Sequence, residues 1–330
     1  MDTIVTFTDY VSLYERNSDL LLLCDTPDQV GISLMLTAYY RECGDPVCEM
    51  LAQQLLAAAI DRIQNVPHTL SLYQGITGLA FSLSYAASSI EKCRDAFESL
   101  DTHIGGQIAR TFLTSMERAV EGEYFLHPLV TNLSDGVSGL IAYYAHVYEF
   151  HGTGEKYLSQ CARALASYLN RFCLLPGDIR LPGWFTPQAQ SLENSQSHIY
   201  PNGSFSLSHA YGCSGYLAAL VTYLELFPND THVLDAARFV AKWLVIEAER
   251  EGTLPIVASY EDVVSHTYSR HVKRDTWFCG IPVLALTLYR FGLLDGDNAL
   301  CERALELYLS LFEKDKKEWN MIATSLFHGR

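Results

Sequence analysis

Apolar residues cluster in long stretches that are hydrophobic almost all round a helix. These stretches read LAFSLSYAA after Gly78, LIAYYAHVY after Gly139, YLAALVTYL after Gly215 and VLALTLYRF after Pro282. A helix without a polar face is typically buried inside a protein. Between these stretches lie helices with a clear polar face, such as KYLSQCARALASYLNRF and NALCERALELYLSLFEK. The alternation predicts an inner layer of buried helices and an outer layer of half-exposed helices.

Each apolar stretch follows a glycine-rich turn, and the turns recur along the whole chain. A motif that recurs at long intervals indicates a repeat architecture, and each interval here is long enough for one helical hairpin. Glycine at the start of an inner helix lets neighbouring backbones approach closely. We therefore predict an all-α fold, an α/α toroid (barrel) of helical hairpins whose inner helices are opened by Gly-x-x-Gly turns. The turns are VGIS at Gly31, QGITG at Gly75, DGVSG at Gly136, YGCSG at Gly212, CGIPV at Gly280 and FHGR at Gly329.

Hairpins that close on one another act as a single domain, so we predict one toroid domain over residues 1–330. The sixth turn stands at the last residues, so the last repeat is expected to be incomplete. A toroid without its last segments leaves the apolar flanks of the first and fifth hairpins exposed, which monomers rarely tolerate. A second subunit, a partner enzyme or the N-terminal segment is expected to cover these flanks.

The longest stretch without helical periodicity runs over residues 174–208 and is rich in proline and glycine. A loop of this length in a compact domain is usually functional or disordered. Its last part, HIYPNGSFSLSHAYG, leads into the fourth glycine turn. We therefore expect the 174–208 loop to lie over the rim where the inner helices begin, as a lid or as a contact for a peptide.

Composition and charge exclude several classes of partner. The formal net charge is −15, which argues against binding to nucleic acids or to anionic membranes. No apolar stretch approaches the roughly 20 residues of a membrane span. The start of the chain does not resemble a signal peptide. The chain has nine cysteines, an odd number, in apolar helices and turns, which is typical of reduced thiols in a cytoplasmic protein.

The order of the turns, the phrases YPNGSF and SLSHAYGCSG, the phrase RDTWFCGIPV and the terminal FHG resemble the lanthionine synthetase C-like family. The resemblance covers essentially the whole chain. It implies a toroid of paired helices and a thioether-forming cyclase (a lyase-type enzyme) of lanthipeptide, or lantibiotic, biosynthesis. The implied partner is a dehydrated precursor peptide, and the implied cofactor is zinc. The resemblance also implies that a zinc-bound substrate cysteine adds to dehydroalanine or dehydrobutyrine, and that a positioned acid protonates the enolate.

The family's zinc ligands are a cysteine in a W-C-x-G turn and a Cys-His pair in a C-H-G turn. Here Phe278 takes the first ligand position, with Cys279 one residue later, and Phe327 replaces the second cysteine beside His328. Phenylalanine cannot ligate a metal, so we expect no zinc site of the usual kind. Cys279 and His328, with His209, are the candidate ligands for a rearranged site.

The family's proton-transfer residues are also replaced. Tyr211 stands where the family has a histidine before the fourth-turn glycine, with His209 two residues upstream, and Asn132 replaces an aspartate of the third turn. A phenol with an ordinary pKa near 10 suits an acid better than a base. We predict Tyr211, His209 and Asn132 as catalytic residues. The predicted substrate-binding residues are Trp277, Tyr200 and Phe205.

Three functions follow from this sequence. The first is a cyclase that acts on a dehydrated precursor peptide without a standard zinc site. The second is a non-catalytic pseudo-cyclase that binds the peptide or a dehydratase partner. The third is an α/α-barrel glycoside hydrolase, which needs two carboxylates across a cleft. Asp135, Glu193 and Asp275 lie near turns and are the candidates for that chemistry.

Overall fold

The computed structural model describes residues 11, 15–16, 18–64, 68–122, 124–175, 179–188, 200–249, 257–265, 276 and 280–313. The described residues are mainly helical, with two small antiparallel sheets. The chain divides into two compact units. Unit 1 comprises Met1–Ile108 and His146–Gly154, and unit 2 comprises Ala109–Ala145 and Glu155–Arg330. The prediction of a single domain stays a prediction.

The helices of unit 1 are α1 (Ser18–Leu21), α2 (Thr26–Cys43), α3 (Pro46–Gln64), α4 (Ile76–Ala87) and α5 (Arg94–Ile108). A 3-10 turn at Glu91–Cys93 precedes α5. Helix α2 packs on α3 and on α4, and α4 packs on α5.

Unit 2 contains most of the remaining helices and both sheets. A π-helical segment, Ala109–Leu113, leads into its first helix. The α-helices are α6 (Thr114–Gly122), α7 (Pro128–Thr131), α8 (Val137–His151, which ends in unit 1), α9 (Glu155–Leu169), α10 (Cys213–Leu226), α11 (Thr231–Glu249), α12 (Tyr260–Ser265), α13 (Ile281–Asp295) and α14 (Asn298–Leu309). The strands are β1 (Phe172–Leu175), β2 (Ile179–Pro182), β3 (Ser204–Ser206) and β4 (Val257–Ser259).

The alternation of buried and half-exposed helices follows the sequence pattern. Helices α4 and α10 are buried on nearly every side, whereas α13 leaves Leu286, Tyr289 and Leu293 exposed. Helices α3 and α9 instead bury one face and leave the other to solvent. Because apolar side chains gain most when they leave water on all sides, the all-apolar stretches take the interior positions. The predicted assignment is confirmed for α4, α10, α3 and α9, whereas α13, predicted from its sequence to be buried, exposes one row of apolar side chains.

The glycines of the second, third and fourth turns are needed for space, whereas Gly280 of the fifth turn has a φ of 127°, which favours glycine. Gly75 and Gly212 have extended backbones, with φ −112° and −142°, and each is the residue before its helix. A Cβ atom on Gly75, Gly136 or Gly212 would lie closer than 3.0 Å to a backbone carbonyl six residues upstream. Backbone atoms cannot yield as a flexible side chain can. Only glycine therefore lets the chain fold back this tightly at the start of the helix.

The first turn differs from this pattern. Helix α2 begins at Thr26, with proline in its first turn, so Gly31 lies inside the helix instead of opening it. A Cβ atom at Gly31 would have nothing within 4 Å. Proline is favoured at the first position of a helix because the backbone N–H at this position has no partner within the helix, so its absence costs no hydrogen bond. The sequence TPD therefore starts α2 ahead of the glycine.

Two short sheets occupy part of the segment predicted as an irregular loop over residues 174–208. Strands β1 and β2 form an antiparallel hairpin, and β3 pairs with β4 from a distant part of the chain. Thr186 forms an isolated bridge with Ser204. Residues 176–178 and 189–199 lie outside the described residues. The predicted position of this loop over a rim stays a prediction.

An aromatic cluster attaches these strands to α11. Phe205 is fully buried, with ring centroids 5.1 Å from Phe185 and 5.4 Å from Trp243. Trp184 lies 5.5 Å from Trp243 in an edge-to-face arrangement and 5.2 Å from Phe239. Such aromatic pairs add to the stability gained from burial alone. The short strands are thus held by side-chain packing as well as by their few backbone hydrogen bonds.

His146 in unit 1 should make folding sensitive to acid. It packs against Phe81 and Phe150, both at 4.4 Å between ring centroids, and its Nε2 has no hydrogen-bond partner among the described residues. Burial, followed by the nearby His151 and Arg41 charges, lowers its pKa to about 4. The imidazole is therefore buried in its neutral form.

We expect the free energy of unfolding to fall as the pH drops from about 6.5 to about 4. In this range His146 is protonated in the unfolded chain but stays neutral in the folded protein. His146→Leu should remove roughly 1 to 2 kcal/mol of this loss, a value reduced for the partial exposure of the ring. Urea unfolding near pH 7 and near pH 5 measures it. His103→Leu, at an exposed position on α5, is the control. An unchanged pH dependence in His146→Leu would contradict the assignment.

No helix of the described residues is long and apolar enough to cross a membrane.

Candidate functional site

The third and fourth glycine turns are in direct contact within unit 2. The backbone N–H groups of Leu133 and Ser134 both donate to the carbonyl oxygen of Ala210, at 3.0 Å and 3.2 Å. A Cβ atom on Gly215 would lie 3.3 Å from the Cβ of Leu133, so the missing side chain allows this approach. The structure therefore brings together the two turns that carry the predicted catalytic residues.

Asn132 shapes the third turn from inside. Its side chain is fully buried, and its Oδ1 accepts hydrogen bonds from the backbone N–H of Asp135 at 2.6 Å and of Gly136 at 3.2 Å. A carboxylate at this position has the same acceptor atoms, so asparagine preserves the turn. Its Nδ2 has no hydrogen-bond partner among the described residues. The position thus keeps the backbone geometry while losing the negative charge.

A second set of hydrogen bonds ties the turns to their helices. The hydroxyl of Thr131 donates to the hydroxyl of Tyr216 at 3.0 Å, and Ser138 donates to the carbonyl of Thr131 at 2.5 Å. In the second turn, Thr77 donates in the same way to the carbonyl of Leu70 at 2.9 Å. Sequence reasoning missed these hydroxyls. The Thr or Ser between the two glycines of the second and third turns is the signal that points to them. In the fourth turn the corresponding Ser214 Oγ has no hydrogen-bond partner among the described residues.

Tyr211 and His209 stand on either side of the shared carbonyl of Ala210. Tyr211 is partly exposed, directly precedes the Gly212 turn, and its backbone N–H donates to Ser208 Oγ at 3.3 Å. The pKa of His209 is lowered to about 4, mainly by burial and secondly by the charge of Arg290. His209 is therefore neutral near neutral pH and a weak proton acceptor. Both residues are partly exposed.

The predicted peptide contacts divide into two kinds. Tyr200 is partly exposed, and burial followed by the charge of Asp262 raises the pKa of its phenol. Its carbonyl accepts from the N–H of Gly203, whose φ of 99° is a conformation that favours glycine. Phe205 instead lies in the core of the aromatic cluster with no exposed surface. A substrate role for Phe205 stays a prediction, while its packing role is evident from its surroundings.

Of the three candidate metal ligands, only His209 lies among the described residues. Cys279 and His328 lie outside the described residues, as do Trp277, Phe278 and Phe327. Glu193 and Asp275, considered for a hydrolase, lie outside them too, whereas Asp135 sits in the third turn. Across the described part of the chain, no group of three or more His, Cys, Asp or Glu residues could hold a metal ion.

Cys213 is a structural cysteine. It is fully buried at the first position of α10, and burial raises the pKa of its thiol well above the usual range. A buried neutral thiol is a poor nucleophile and a poor metal ligand. The cysteines whose side chains the structure describes are all free thiols.

The family model of the lanthionine synthetase C-like proteins matches residues 29–329, and the chain belongs to this family. Among solved structures, nisin cyclase is similar in fold, with a TM-score of 0.80 at 18% sequence identity. The match covers 98% of this chain and 79% of nisin cyclase. A likeness at this identity shows the fold alone, and it confirms the all-α toroid of helical hairpins that the sequence predicts. No curated protein sequence matches the chain.

Proposed function

We propose that this protein binds a dehydrated precursor peptide at its third and fourth glycine turns and closes thioether rings in it without a zinc ion. The observation that carries the proposal is the contact of these turns through the Ala210 carbonyl. This contact holds Tyr211, which occupies the family's acid position, next to the turn that Asn132 shapes. The free thiols of the described cysteines agree with a reaction in the cytoplasm.

The residues present do not fit the family's zinc site. Two of its three ligand positions carry Phe278 and Phe327, whose side chains offer no lone pair to a metal. His328 alone cannot hold zinc against water. His209 has a neutral imidazole, but the partners it would need, Cys279 and His328, lie outside the described residues. No step of the proposed reaction therefore runs through a metal.

The chemistry left to the protein is positioning and proton donation. The sulfur of a substrate cysteine thiolate bonds to Cβ of a dehydroalanine, and the π electron pair of the C=C bond moves to form an enolate. Cα then takes a proton from the hydroxyl of Tyr211. Water returns a proton to the phenolate, and the thiol's own proton has entered the solvent, so protons balance. A positioned acid of this kind typically accelerates a step by about 10² to 10⁴.

Tyr211→Phe should lower the protein-dependent rate of ring closure by about 100-fold, since the substitution removes only the donor oxygen. The substrate is a synthetic peptide with one dehydroalanine and one cysteine. Loss of its free thiol is followed by alkylation and mass spectrometry, with the rate without protein subtracted. Tyr73→Phe, an exposed tyrosine two residues before the second-turn glycine, is the matched control. Added EDTA should leave the rate unchanged.

Two results would count against this function. A peptide that loses its thiol no faster with the protein than without it would remove catalysis. A rate abolished by EDTA would show that a metal takes part after all.

The non-catalytic alternative is favoured by the replacement of four of the family's functional residues, at Asn132, Tyr211, Phe278 and Phe327. A pseudo-cyclase would still bind the precursor peptide, or a dehydratase that modifies it. Fluorescence titration with the same peptide distinguishes the cases. Binding without thiol loss supports the pseudo-cyclase, whereas binding with thiol loss supports the cyclase.

A further inference from the structure

Unit 2 carries an exposed apolar face on its last helical hairpin. Helix α13 presents Leu286, Tyr289 and Leu293 at 44%, 41% and 62% exposure. Their spacing, together with Pro282, places them on one side of the helix. Helix α14 and the turn after it present a second row. That row is Leu305, Tyr308, Leu309 and Phe312, at 50%, 43%, 51% and 62% exposure.

The two rows border one groove. Pro282, Leu286 and Tyr289 line one side, Leu305 and Tyr308 line the other, and the groove has a volume of about 360 Å³. The helices approach closely behind it, where the Sγ of Cys301 lies 2.6 Å from the position that a Cβ on Gly292 would take. We call the two rows and their groove the hairpin face.

The hairpin face supplies a large part of the area of a stable contact between proteins. A large side chain offers about 150 to 250 Å² of surface, and these residues are about half exposed. Together they supply several hundred Å² of apolar surface, against about 800 Å² per partner in a typical stable interface. Monomeric proteins rarely leave an apolar patch of this kind in contact with water. The polar residues around the face can supply the remaining area.

Three pairs of charges near the hairpin face are formed within the chain. Arg290 bonds to Glu225 at 2.5 Å and 3.0 Å. Arg303 bonds to Glu306 at 2.7 Å. At the end of α13, Arg238 bonds to Asp295 at 2.6 Å.

This pairing bears on which partner fits. With a net charge of −15, two copies of the chain repel each other over most of their surface. At the hairpin face, arginines of the same chain neutralise Glu225, Asp295 and Glu306, and this lessens that repulsion.

We propose that the hairpin face is a homodimer interface, in which a second copy of this chain packs its own hairpin face against the first. The arrangement is two-fold symmetric, so each row of one copy contacts the facing hairpin of the other. Leu305, which lines the groove, and Leu293, farther along α13, are both contacts in this arrangement. The proposal concerns assembly and does not depend on whether the protein is catalytic.

Sedimentation velocity of the full chain over a wide range of concentration tests this proposal. The wild-type chain is expected to be dimeric. Leu293→Glu with Leu305→Glu should raise the dissociation constant of the dimer by at least about 100-fold, because each new carboxylate occurs twice in a symmetric interface. Leu23→Glu, at a leucine 74% exposed in unit 1, is the control and should leave the dimer intact.

Circular dichroism and thermal unfolding check that the variants fold. The milder Leu293→Ser with Leu305→Ser, which adds no charge, should weaken the dimer in the same direction. A wild-type chain that stays monomeric at every concentration would overturn the proposal. So would a dimer that neither pair of substitutions weakens.

Discussion

Replacing Gly212 with alanine should lower the free energy of unfolding by about 3 kcal/mol, at the upper end of the usual cost of overpacking. The new methyl group would lie closer than 3.0 Å to the carbonyl oxygen of Ser206 and also close to its Oγ. The Oγ can turn away, but the carbonyl is fixed by the strand β3 and by the tight return of the chain. The fourth turn must therefore open, and the shared carbonyl of Ala210 moves with it. The midpoint of urea unfolding, followed by circular dichroism, measures the loss.

Gly106→Ala is the matched control for this substitution. Gly106 lies exposed within α5, and a Cβ atom there would have nothing within 4 Å. Alanine inside a helix is expected to raise stability by about 0.5 to 1 kcal/mol, because it restricts the unfolded chain. The same chemical change should thus have opposite signs at the two sites. If Gly212→Ala were as stable as wild type, the close approach of the turn would be wrong.

Phe205→Ala is expected to cost about 3 to 5 kcal/mol, the range found when a buried aromatic side chain is deleted. Phe205 has no exposed surface, and it lies between Phe185 and Trp243. Its removal leaves a cavity where β3 meets α11, and the edge of the sheet cannot collapse far because β4 holds it. The measurement is again the midpoint of urea unfolding.

Phe172→Ala provides a control of the same residue type from the same aromatic cluster. Phe172 is 47% exposed and touches Phe239 at 5.2 Å between centroids. Its deletion should cost much less, since most of the lost surface was already in water. The pair of variants also tests the predicted role of Phe205 in binding. A Phe205→Ala protein of unchanged stability but weakened peptide binding would support that role and contradict the packing role.

Much of the fold could be predicted from the sequence because the glycine turns and the apolar stretches are local signals. The starts of α4, α8, α10 and α13 follow directly from them. The exception, Gly31, shows how a second local signal competes. Proline in the first turn of α2 starts the helix earlier, and the glycine then falls in its interior.

The strands and the packing of the site could not be predicted in this way. Strand β3 pairs with β4, which lies far away in sequence, and three-residue strands carry too little periodicity to be recognised. The burial of Phe205 likewise depends on α11, whose position the local sequence does not contain. Asn132 was found through the family's pattern, but its hydrogen bonds to the turn and its buried Nδ2 required the structure.

The double hydrogen bond to Ala210 links the two turns mechanically. The carbonyl oxygen of Ala210 accepts hydrogen bonds from two backbone N–H groups of the third turn. Neither turn can therefore change its path without displacing the other. Redesign of the protein for a different peptide therefore has to treat residues 132–136 and 208–212 as a single element. Loop grafts that exchange both segments together preserve the hydrogen bonds between the two turns, whereas an exchange of one segment alone breaks them.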